Sequence, residues 1–370
     1  KTVDVGLDFR LWDRFYGTLD WYQTNTTDMI RNAPTNYAAT GQSSIAANSA
    51  ELRTRGFEFE LGVDIIKTPD ILWSFGVNGA HYKTILTKVP EGTGSDKLNG
   101  MWEANPDGWT AAGTGTISNG AFYLRGVGKP YYNVYQYLYG GVDQATGLPL
   151  ISSTVTSENI EALRASHYVG ELKEGNMVYT TNHSLATRQE IGDATPKLIG
   201  GFNTSFRWKD LDFAATFAFQ IGGKFFSNSY ALYYYDDTTP GYLVSEDLRN
   251  NTWTATNTSA KYPMMMYANP NGDSYTYGAS IGSWAYTDMS LFDASYLSVK
   301  NITVGYNFPQ KWMDKIGIGG IRVYASLDNM WLITSKSGID PRQSLVGGME
   351  VGAMGYPQMR TCSLGVNITF

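Results

Sequence analysis

A hydrophobic period of two recurs through this sequence, and it leaves few folds open. Near the end, Cys362, Leu364, Val366, Ile368 and Phe370 alternate with Thr361, Ser363, Gly365, Asn367 and Thr369. Successive side chains of a strand point to opposite faces, so this stretch reads as a strand with one apolar and one polar face. The same pattern covers Val3 to Leu11, Phe57 to Ile65, Phe202 to Trp208, Leu211 to Ile221 and Ile321 to Leu327, with shorter versions at 17–30, 71–86 and 295–308. That makes nine candidate strands. Several are about 10 residues long, enough to cross a bilayer at a tilt.

A soluble sandwich also alternates, but three features favour a transmembrane barrel. The connections alternate in length: 12–16, 66–70, 209–210 and 309–320 are short, whereas 31–50, 87–196, 225–292 and 332–354 are long. Outer-membrane barrels have short turns on one side and long loops on the other. Aromatic residues follow the short turns: Trp12, Trp73, Trp208, Phe308, Trp312 and the final Phe370. They read as a girdle at the periplasmic lipid boundary. The polar face carries Asp4, Asp8, Asp20, Glu58, Glu60, Asp212 and Arg322 among others. Such charges would cost several kcal/mol each in a dry core, and a wet or plugged lumen removes that cost.

Composition agrees. Apolar residues make up 42%, aromatics 14% and glycines 40 of 370 positions, a profile of strands and tight turns. A net charge of −6 argues against nucleic acid as a partner. The single cysteine, Cys362, allows no internal disulfide and sits on the apolar face as a small apolar residue. No run of about 18 apolar residues marks a membrane helix. Lys1 leads straight into an alternating segment, so the chain reads as part of a longer one. Nine strands are an odd number for a single-chain bacterial barrel, and a bare edge is not tolerated in lipid. The expectation is that further strands lie upstream or on another fragment of the same protein.

Longer motifs resemble the SusC/RagA family of TonB-dependent outer-membrane transporters of Bacteroidetes. They are GDATPKLIGGFNTSFRWKDLDFAATFAFQIGG from Gly192, DASYLSVKNITVGYNFP from Asp293, SLDNMWLIT with SGIDPR between Ser326 and Arg342, and the terminal YPQMRTCSLGVNITF. GTLDWYQTNTTDMI and ELRTRGFEFEL resemble further family segments. The resemblance touches nearly every candidate strand. It implies an all-β, antiparallel barrel of about 22 strands around a plug, with residues 1–370 as its C-terminal portion and the plug upstream. It also implies a SusD-like lipoprotein lid over the loops, TonB contacted through an upstream segment, and a surrounding bilayer with lipopolysaccharide. The implied cargo is a glycan or, as the alternative, a peptide. The C-terminus would be periplasmic.

Two tyrosine-rich loop runs are the candidate substrate contacts: Tyr131, Tyr132 and Tyr135, and Tyr233, Tyr234 and Tyr235. A tyrosine offers a broad face for a sugar ring plus a hydroxyl. The same residues would suit packing between the loops and a lid, or an upper lipid girdle. Glu58 and Glu60 stand about 7 Å apart on one strand face, within the range of glycosidase pairs, but lumen charge accounts for them. Asn269, Asn271 and Asp273 have calcium-like spacing, yet NPNGDSY reads more simply as a turn. His81, His167 and His183 lack metal-ligand spacing, and no nucleophile or cofactor motif is present. The chain therefore reads as a non-enzyme without metal or cofactor. Two other classes remain open: an adhesin-type barrel without plug or lid, and a secreted carbohydrate-binding sandwich.

Overall fold

The computed structural model describes residues 1–90, 101–104, 122–227, 230–231, 245–264, 287–343 and 358–370. One nine-stranded antiparallel sheet dominates it. Its strands are β1 (Thr2–Leu11), β2 (Phe15–Pro34), β3 (Ser44–Lys67), β4 (Ile71–Lys88), β5 (Leu198–Trp208), β6 (Leu211–Ile221), β7 (Tyr296–Asn307), β8 (Gly320–Thr334) and β9 (Thr361–Thr369). Each pairs with its sequence neighbours, with β1 and β9 at the edges. All nine expected strands are present. Among the described residues no helix is long and apolar enough to cross a membrane, which leaves strand crossing untouched.

Register is staggered from strand to strand. Leu11, at the short-turn end of β1, begins a row that passes through Phe15, Val63, Phe75, Thr204, Ala215, Ile302 and Leu327 to Cys362, near the long-loop end of β9. Strands that tilt against a barrel axis give this shear. Rows on one side join Val5, Trp21 and Phe57, or Phe206, Phe213 and Val304. Rows on the other join Asp8, Thr18 and Glu60, or Asp212, Gly305 and Tyr324. The apolar side is exposed: Val3, Val5, Leu7, Trp21, Leu364, Val366 and Ile368 are all open.

The short turns are tight. Trp12 and Asp13 have φ of 54° and 52°, and Arg14 N donates to Leu11 O at 3.2 Å. Positive φ at both central residues is the mirror-image turn that matches strand twist. At the β5–β6 turn Lys209 has φ 52°.

Three boundaries differ from expectation. The loop expected over 31–50 shrinks to 35–43, because β2 and β3 pair out to Pro34 and Ser44 through bulges near Thr26 and Met29. The period of two breaks at those bulges, which hid the extension. The other long connections run 89–197, 222–295 and 335–360. The run from Phe57 breaks at Ile65, where register shifts between Asp64 and Ile66, so Ile66 and not Ile65 pairs with Trp73. The expected turn 309–320 contains a helix, Gln310–Ile316, ended by left-handed Gly317.

Inside the polar face, Arg322 of β8 reaches over β7 to Asp212 of β6, with Nη2 to Oδ2 at 2.6 Å and Nε to Oδ1 at 3.2 Å. Gly305 lies beneath, and a Cβ there would collide with both partners. Tyr16, Tyr22 and Tyr324 likewise lie over Gly62, Gly56 and Gly365, an aromatic covering of sheet glycines.

Candidate substrate vestibule

Above the wall, the long loops fold on one another. Connection 89–197 supplies two four-stranded sheets. One joins Tyr139–Val142, Pro149–Thr154, Met177–Thr180 and Tyr168–Val169. The other joins Trp102–Ala104, Phe122–Arg125, Asn133–Gln136 and Gln189–Asp193. Tyr123, Val134, Ile151, Phe226, Leu248 and Tyr262 form a shared core drawn from connections 89–197 and 222–295. Val155, Leu163 and Val178 form a smaller one. Short strands bury too little alone, so the two connections must pack together to exclude water.

Hydrogen bonds tie the connections together. Tyr139 N donates to Asp288 Oδ1 at 2.8 Å, and Asp288 N donates to Tyr137 O at 2.9 Å. Burial raises the Asp288 carboxyl above the usual range, opposed by those backbone donors. Burial also raises the Tyr139 hydroxyl and lowers His183 to about 4. Trp253 Nε1 donates to Gln144 O at 3.0 Å.

Among the described residues, two arginine-centred anchors are among the contacts that tie the long connections to the wall. Tyr131 N donates to Thr84 O at 3.0 Å. Arg31, in the upper extension of β2, donates from Nη2 to Tyr131 Oη at 2.5 Å, and Arg125 stacks 4.1 Å from the Tyr131 ring centre. The second anchor is Arg342. It forms a two-pronged pair with Asp340, at 2.8 and 2.7 Å, and its Nη1 donates to Ser298 Oγ of β7 at 2.8 Å. The pair is largely buried and fully bonded, the condition under which such a pair holds its geometry. Lys336 lies 5.2 Å from the Tyr230 ring centre.

Of the candidate contacts, Tyr131 and Tyr132 come together, and Tyr131, Tyr132 and Tyr135 are each half-buried. Tyr131 and Tyr132 meet edge to face at 4.9 Å, and Tyr132 packs against the shared core. Tyr233, Tyr234 and Tyr235 lie outside the described residues, as do Asn269, Asn271 and Asp273. The girdle candidates Trp12, Trp73, Trp208, Trp312 and Phe370 are exposed, and Phe308 is half-buried against Tyr306 and Trp312. Below the loops, a groove of about 590 Å³ on the polar face is lined by Asp20, Glu58, Glu60, Asn78 and Tyr296 among others. Sequence reading missed Arg31, Arg125 and Arg342 as anchors. Arg31 and Tyr131 are 100 positions apart, and no local pattern links them. The SGIDPR motif was the one available pointer to Arg342.

A single-layer meander with an exposed apolar side and a charged inner side is the wall of a transmembrane β-barrel. The sequence model for "TonB dependent receptor-like, beta-barrel" matches residues 1–157. TonB-dependent receptor P3 of Formosa agariphila is 28% identical over all of this chain and 34% of its own length. TonB-dependent receptor SusC of Bacteroides thetaiotaomicron is 24% identical over all of this chain and 32% of its own length. The RagAB peptide transporter structure superposes with a TM-score of 0.71 at 22% identity, covering all of this chain and 35% of that one. The chain is homologous to SusC and related TonB-dependent receptors, and its sheet is part of their type of β-barrel. It spans about a third of the length of these relatives.

Proposed function

We propose that this chain is barrel wall and vestibule of a receptor that imports a glycan across the bacterial outer membrane. The exposed apolar face carries this reading. Val5 is 63% exposed and Leu364 90%, and a lipid environment relieves such a surface. Homology along the whole chain to TonB-dependent receptors supports import over adhesion. In the proposed mechanism a SusD-like lipoprotein closes over the loops and traps cargo, and TonB, pulling through an upstream segment, opens a plug below. Residues 1–370 act as one portion of that barrel, with short turns and Phe370 on the periplasmic side. Trp12, Trp73, Trp208, Phe308, Trp312 and Phe370 anchor the periplasmic lipid boundary. Tyr131, Tyr132 and Tyr135 offer their remaining open faces to cargo, stiffened by Arg31 and Arg125.

The test is uptake of labelled oligosaccharides and labelled peptides by cells with the receptor gene deleted or intact, each with and without TonB. Oligosaccharide uptake that needs both proteins supports the proposal. Peptide uptake with that dependence keeps import and replaces the cargo. If neither label depends on the receptor, import is wrong.

A further inference from the structure

The strands β2, β3 and β4 run 20, 24 and 18 residues, well beyond the about 9–11 that cross a bilayer. Their outward rows therefore leave the lipid before they reach the loops. Following the apolar side upward, Leu61, Phe59 and Phe57 are succeeded on β3 by Arg55 and Arg53. On β4, Val77 is followed by Gly79, His81 and Lys83. Register makes one row of Val5, Trp21, Phe57 and His81, and the next of Val3, Gln23, Arg55 and Lys83. Arg53 stands one row higher, opposite Asn25. Arg55 lies about 12 residues above the end of β3 at Lys67, and Lys83 about 12 above the start of β4 at Ile71. Both thus stand at the far boundary of the bilayer.

Arg55 and Lys83 are exposed and directly opposed across two strands. Like charges so placed repel. Arg55 Nε donates to Gln23 Oε1 at 2.6 Å, a neutral partner that leaves the charge uncompensated. Among the described residues no carboxylate comes within ion-pair distance of Arg53, Arg55 or Lys83. The corresponding upper positions of β8 on the same side of the sheet are Trp331 and Ile333, both exposed and apolar. The cations of β3 and β4 thus have no counterpart at those two positions of β8.

We infer that Arg53, Arg55 and Lys83 form a docking surface for the phosphate groups of an anionic lipid in the leaflet on the long-loop side, with Trp21 and Phe57 packed against its acyl chains. This rests on the membrane reading above. The occupant is a lipid because the cations continue the lipid-facing rows without a break. A headgroup phosphate at that level brings two negative oxygens to Arg55 and Lys83 together and relieves their repulsion. The guanidinium of Arg55 suits a two-point bond to phosphate.

The experiment uses the full-length receptor in nanodiscs of zwitterionic lipid, doped with phosphorylated lipid A or with its dephosphorylated form. Lipid carried by the receptor after repurification is counted by mass spectrometry, in wild type and in the double variant R55Q/K83Q. Wild type should retain phosphorylated lipid A over the dephosphorylated form, and the variant should lose on the order of tenfold in retention. Equal retention by both proteins, with both inserted in the discs, overturns the lipid site alone. Loss of inorganic phosphate binding in the variant without loss of lipid marks a free-anion site and also overturns it. If wild type fails to enter the discs, the membrane reading falls, and this inference with it.

Discussion

Leu364 in β9 is 90% exposed, whereas Leu163 in the 89–197 connection is 0% exposed. The same side chain meets opposite surroundings within one protein. In the wall, Val5, Leu7 and Val366 face outward, and burial has to come from lipid. In the loop assembly, Tyr123, Phe226 and Val178 are enclosed by neighbouring loop residues, as in a water-soluble core. The difference shows that hydrophobicity alone does not place a residue inside. The wall uses a period of two to divide lipid from lumen, and the loops use long-range packing to divide protein from water.

The sharpest way to break this comparison is to hollow the loop core. Phe226→Ala should destabilise the loop assembly by about 3–5 kcal/mol, seen as faster amide exchange in Pro149–Thr154 and Met177–Thr180 with β6 and β7 unchanged. Matching loss of protection in the wall would show one cooperative unit in place of two. Next, Leu7→Arg on the outward face should cost about 2–4 kcal/mol in lipid vesicles, measured by urea unfolding. Asp8→Ala on the inward face should change stability by less than about 0.5 kcal/mol. Equal effects would mean that the two faces do not differ in environment.

A third test concerns protons. Burial holds His183 at about 4, below its usual value near 6.5. The unfolded loop binds a proton below about 6.5, while the folded loop stays neutral down to about 4. Its stability is complete above pH 6.5 and falls as pH drops through that window, by about 1.4 kcal/mol per unit at most. His183→Gln should flatten the pH dependence of amide exchange in the loop assembly between those values. An unchanged slope would place the titrating group elsewhere. A small effect belongs to an ion pair on the wall's inner face. Gly305→Ala would put a methyl group under the Arg322–Asp212 pair, which is about one-third exposed at each partner. The expected loss is about 1 kcal/mol by urea unfolding, with D212N showing a similar loss. A cost for D212N and none for Gly305→Ala would show that the bridge has another route past β7.

Much of the wall was legible in advance. Strands such as Leu211–Ile221 and Thr361–Thr369 keep a strict period of two, so their faces follow from alternate residues. The upper halves of β2 and β3 were not legible, because the bulges near Thr26 and Met29 break the period. The loop sheets were invisible for a different reason: strands as short as Asn133–Gln136 hold too few residues to display a period. Tyr131 and Tyr132 were readable as an aromatic cluster, but Arg31 and Arg125 on Tyr131 were not.

Sequence by itself determined the antiparallel strands, the polarity of their two faces and the side with short turns. Those properties depend on residues two to ten positions apart. The tertiary structure alone decided that Arg342 reaches Ser298, that Arg322 crosses Gly305 to Asp212, and that Arg55 stands opposite Lys83. Each depends on the register between strands, and register is a property of the assembled sheet and not of any single segment.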